Sequence, residues 1–128
     1  MAFVCPECLN VGTLTITDSI KLPPDSRSDE IILQLLRCGR CELKAAAVYE
    51  ESRRGAMGSE SWHHIGYKLE EKQIKELLTI FSKCKTLNKP KCHCKAHRML
   101  GQKDDAGRWV PPEYFHWKSS FPMRYARR

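Results

Sequence analysis

The chain has 128 residues, 41% hydrophobic and 29% charged, with a formal net charge of +7. That length suits one domain or two very small ones, and that balance excludes wholesale disorder. No apolar run approaches the roughly 18 to 20 residues that span a bilayer, and the opening MAFVCPEC lacks the basic-then-apolar pattern of a secretory signal. The expectation is a cytoplasmic protein. In reducing surroundings its seven cysteines serve metal binding rather than disulfides.

The charge is uneven. Residues 1–60 carry 7 Lys/Arg against 9 Asp/Glu, and residues 61–128 carry 15 against 6, so the second half holds all the net positive charge. Metal sites alter this little: zinc takes thiolates, so a four-cysteine site adds about −2 and a three-cysteine, one-histidine site about −1.

In chain order, Cys5 and Cys8 come first, then GTLTITDSI, whose alternation and β-branched residues predict a strand. KLPPDSRSD breaks it. EIILQLLRC predicts a second strand running into Cys38 and Cys41, and CELKAAAVYEE a third. Two C-x₂-C pairs let two tight turns aim four sulfurs at one point, the ligand set of a closed tetrahedral site, with zinc preferred over iron. Residues 3–50 resemble a zinc ribbon in these pairs, with a knuckle, two strands, a second knuckle and a returning strand. The resemblance implies a structural zinc that holds together a sheet too small to stand alone.

SRRGAMGSES reads as a loop, with Arg53 and Arg54 as a solvated turn, and WHHIGYKL as extended. Adjacent strand residues face opposite ways, so one of His63 and His64 faces the core. Ile74, Leu77, Leu78 and Phe81 recur at helical spacing and predict an amphipathic helix over 69–83, acidic in its first turn and with lysines in its last.

KCKTLNKPKCHCKAH follows. Cys84, Cys92, Cys94 and His97 have the types and number for a second zinc site, with Cys84 entering from the helix end and His93 pointing away. Other readings stand beside it. Cys84 can be a buried residue of the helix face, Cys92 and Cys94 activated thiols among lysines, or the three cysteines and His97 ligands of an iron–sulfur cluster. RWVPPEYFHW is expected to be extended, because Pro111 and Pro112 exclude a helix interior.

These segments compose an α+β protein. Residues 1–52 form a small antiparallel zinc ribbon, and residues 61–128 supply a helix, a second zinc-bound loop and an extended C-terminal segment, packed with the ribbon as one compact unit. Lys85, Lys89, Lys91, Lys95 and Arg98 supply positive charge, and Trp109 and Trp117 flat faces, for a nucleic-acid surface. The chain is therefore expected to be a non-catalytic binding module for nucleic acid, with a zinc-stabilised protein–protein adaptor as the alternative. A third reading starts from a faint resemblance to HNH-type nucleases in the cysteine pairs, HHI, Asn88 and His97. The helix intervenes where that motif needs a loop, and both C-x₂-C pairs precede HHI rather than bracketing the core.

Overall fold

The computed structural model of the chain describes residues 2–52 and 61–126. The loop expected at SRRGAMGSES, Arg53 and Arg54 included, falls almost wholly outside the described residues. The elements are β1 (Ala2–Val4), β2 (Leu14–Leu22), β3 (Glu30–Cys38), β4 (Lys44–Ser52), β5 (Ser61–Lys68), α1 (Glu71–Phe81), α2 (Lys95–Leu100), β6 (Ser120–Pro122) and β7 (Arg124–Ala126). The α+β architecture follows the sequence expectation. Strands β2 to β6 form one antiparallel sheet in chain order, and β1 pairs with β7 in a separate two-stranded ribbon.

Alternation sorts the sheet into two faces. One carries Ile20, Leu22, Ile31, Leu33, Leu35, Ala46 and Val48, and α1 buries Ile74, Leu77 and Phe81 against it. The other carries Leu14, Leu36, Ala45 and Ala47, covered by Phe121, Met123 and Cys5. Leucine and isoleucine on both faces of β3 reflect a central strand that neither face exposes to water. Phe121 packs over Gly66 because a Cβ there would lie 2.4 Å from its ring.

Three expectations shift. The helix spans 71–81 rather than 69–83. Glu70 and Gln73 form a capping box at its start, and the lysines expected in its last turn lie beyond it. Strand β2 continues to Leu22, so the break comes at the two prolines rather than at Lys21. RWVPPEYFHW is not a continuous extended strand: Trp109 makes a lone bridge to Lys103, the Phe115 N–H bonds back to the Pro112 carbonyl, and Trp117–Ser119 form a 3₁₀ turn. Adjacent prolines have no N–H to give a ladder, which excludes a strand as firmly as a helix. No helix among the described residues is long and apolar enough to cross a membrane.

Candidate metal centres

The first C-x₂-C pair lies just after β1 and the second straddles the end of β3, and the two turns are built alike. The Cys5 and Cys38 carbonyls accept from the N–H of Leu9 and Glu42 at 3.0 and 3.2 Å, and the Cys5 and Cys38 N–H groups donate to Asn10 and Leu43 at 3.0 and 2.9 Å. The residue after each second cysteine turns left-handed, Leu9 at φ 61° and Glu42 at φ 63°. Neither is glycine, so each turn stores strain of about 1–2 kcal/mol. The sheet brings the turns together. Cys38 pairs with Leu14 in the β2–β3 register, and the Gly39 N–H donates to the Thr13 carbonyl. Glu7, inside the first turn, forms an ion pair with Lys68 on β5.

The four sulfurs converge, with Cys5 and Cys41 3.6 Å apart and Cys8 and Cys38 3.7 Å apart. A tetrahedral ion with bonds of about 2.3 Å needs sulfur–sulfur edges of roughly 3.8 Å. Around Cys38 the surroundings favour thiolate. Burial opposes ionisation, but the Thr13 hydroxyl and the Cys41 and Arg40 amides outweigh it and bring its thiol down to about 6. Burial pushes Cys5 up to about 12. A cation at the centre of the four would favour thiolate at every one.

The second group is assembled differently. Cys84 follows α1, its N–H bonded to the Phe81 carbonyl. Cys92 ends a loop tied to the sheet by the Lys21 N–H, which donates to the Leu87 carbonyl at 2.8 Å. Cys94 is the N-cap of α2, accepting from the His97 N–H, and one turn of helix places the His97 ring over it. His97 Nδ1 stands 3.1 Å from Cys94 Sγ and 3.4 Å from Cys84 Sγ, and Cys84 and Cys92 are 3.9 Å apart. All four ligand atoms lie within 4.8 Å of one another, as in the first group. His97 is buried, and its Nε2 lies beside the Lys21 main chain without a full hydrogen bond. Burial lowers its pKa, favouring the neutral ring that a metal ligates. The Thr86 hydroxyl leads the contacts that bring Cys92 down to about 7. Gly101 closes α2, where a Cβ would fall 2.6 Å from the His97 carbonyl oxygen.

The chain thus has two groups of residues that could each hold a metal ion. His93 is exposed and is not one of the four converging residues. Sequence reasoning missed α2. Its signal was present in Ala96, His97 and Leu100 on one face and in Gly101 as the stop.

His63 and His64 stand on opposite faces of β5, as strand alternation requires. His64 is buried between Gln34, whose Oε1 is 2.6 Å from Nε2, and Tyr125, whose hydroxyl is 2.8 Å from Nδ1. That network lies on the sheet face away from α1, so HHI does not join Asn88 and His97 in one site.

Lys85, Lys89, Lys91, Lys95 and Arg98 are all exposed around the second group, and none takes part in an ion pair among the described residues. Trp109 packs against the core and its indole N–H donates to the Leu100 carbonyl at 2.7 Å, beside α2. Trp117 is 78% exposed, but its turn sits against β5 whereas the lysine loop is tied to β2. Three strand spacings, roughly 14 Å, separate those margins. The fold gathers the five basic residues and leaves Trp117 apart.

No protein-family model, curated protein or solved structure matches this chain.

Proposed function

We propose that the chain is a non-catalytic binding module held by two zinc ions, one per cysteine group, and that it binds nucleic acid through the lysine-rich loop on the second. Zinc is preferred because thiolate and imidazole in tetrahedral array suit it best. Four protein ligands around each ion leave no open position for a reacting water, and so support structural roles. A reducing compartment such as the cytoplasm keeps such thiols available.

The observation that carries the nucleic-acid reading is charge. Between residues 77 and 103 there is no aspartate or glutamate, but six lysines and one arginine. Lysines on a solvated helix face are ordinarily interleaved with acids; here the excess sits on a short loop that a metal would pin. Such a loop pays no ordering entropy when it meets a row of phosphates.

Fluorescence anisotropy with short single- and double-stranded DNA and RNA tests it. Binding should weaken steeply with salt. Replacing Lys85, Lys89, Lys91 and Lys95 by alanine should remove about three to four from the slope of log affinity against log salt while leaving the melting temperature unchanged. Absence of binding to all four probes at low salt refutes the reading. The adaptor reading rests on Trp117 and on Trp62, 56% exposed. It predicts instead a salt-resistant protein complex lost on Trp117→Ala.

A further inference from the structure

A cleft of about 410 Å³ opens on the α1-side face, and no cysteine-group or lysine-loop residue is among those that line it. Its walls are polar: Arg27 and Ser28 from the β2–β3 connection, Glu50 and Ser52 from β4, His63 from β5, and Arg108. Glu50 and His63 are cross-strand partners, so their side chains share one wall.

The Arg108 guanidinium is unusual in being placed but not satisfied. Asp25, buried and accepting the N–H groups of Arg27, Ser28 and Trp109, stands 3.5 Å from Arg108 Nε. Glu50 stands 3.8 Å from Nη2. Both are within ion-pair range and outside good hydrogen-bond length. Arg108 Nε is buried without a hydrogen-bond partner. A guanidinium carries five donors in a planar fork whose best match is a carboxylate or phosphate edge. Beside it stand a second, exposed guanidinium, an imidazole and three serines, Ser26, Ser28 and Ser52.

We propose that this cleft binds a phosphate-type oxyanion, taken between Arg108 and Arg27 with His63, Ser28 and Ser52 around it. Glu50 stands 3.8 Å from Arg108 Nη2. Burial raises its carboxyl from the ordinary value, with Arg108 and His63 lowering it and Asp25 adding to the rise, so it opposes an oxyanion less than a free carboxylate would. The phosphate can come free or on the end of a nucleotide chain. Recognition at the cleft is the same for both and does not depend on the lysine loop.

The test is calorimetric titration of the zinc-loaded full chain with inorganic phosphate, and in a second arm with a short oligonucleotide bearing or lacking a 5′-phosphate. Inorganic phosphate should bind in the millimolar range. Arg27→Ala and His63→Ala, both at exposed positions, should each weaken it by roughly tenfold without changing the melting temperature. Glu50→Gln, which fixes the uncharged form, should leave binding as tight or tighter. Tighter binding of the 5′-phosphorylated than of the 5′-hydroxyl oligonucleotide marks a nucleic-acid end as the source, and equal binding of the two alongside bound phosphate marks a small molecule. The quadruple lysine variant should keep phosphate binding, so loss of oligonucleotide binding there leaves this proposal standing. No phosphate binding in either arm, binding insensitive to Arg27→Ala and His63→Ala, or binding abolished by Glu50→Gln overturns it.

Discussion

The two cysteine groups use similar ligands on unlike supports. The first is held by the sheet, for Cys38 is the last residue of β3 and Cys5 is buried against Leu14 and Leu36. Strand register would keep these sulfurs near one another even without an ion. The second is held by the ends of two helices and a loop whose main tether to the sheet is the Lys21–Leu87 hydrogen bond. Its loop is all positive, so without a metal, repulsion among lysines and loop entropy act together to open it. The first ion would thus complete a core, and the second would hold a surface in shape.

That contrast can be broken by substitution. The largest effect is expected at Cys38→Ser, which removes a ligand and a buried sulfur from the sheet end together. It should cost at least ~4 kcal/mol in chemical denaturation, and loss of sheet signal in the far-ultraviolet spectrum should accompany it. His97→Ala should cost less, about 2–3 kcal/mol. Hydrogen exchange should then rise in residues 84–100 while strands β2 to β5 stay protected. If both variants unfold the whole chain alike, the second group belongs to the core and the contrast is wrong.

A smaller effect sharpens the picture of the first group. Leu9 is 72% exposed and left-handed, so Leu9→Gly loses little packing and relieves strain. It should raise stability by about 1 kcal/mol, against the usual sign for a glycine substitution. An unchanged or lowered midpoint denies that the knuckle is strained.

The smallest effect concerns His64. Burial lowers its pKa from the ordinary 6.5, so the folded chain prefers the neutral ring. Its contribution is therefore complete above about pH 6.5 and is lost as pH falls through the lower folded value. The stability difference between the wild-type chain and His64→Gln should narrow as pH drops below 6.5. A difference that widens would mean the folded chain prefers the charged ring.

The sequence made some of this legible for identifiable reasons. C-x₂-C spacing is local, so Cys5, Cys8, Cys38 and Cys41 could be grouped before any strand was placed. Strands β2 to β5 run eight or nine residues, long enough for β-branched and apolar composition, with alternation in β2, to announce them, although their register was not read. Helix α2 has six residues, too few for a period to declare itself, and so the turn that delivers His97 stayed hidden. Pairing of β1 with β7 joins residues 120 or more positions apart, and three-residue strands carry no pattern that would announce it. The exposure of the lysines could be read from composition. The inward turn of Trp109 depends on a carbonyl freed at the end of α2, and that was out of reach.

The central claim is that both groups are closed zinc sites, and elemental analysis of metal per chain tests it directly, on the protein purified without added metal. The wild-type chain should carry two zinc ions and Cys94→Ser one, with the sheet intact. One zinc or fewer in the wild-type chain, or two retained in Cys94→Ser, would contradict it.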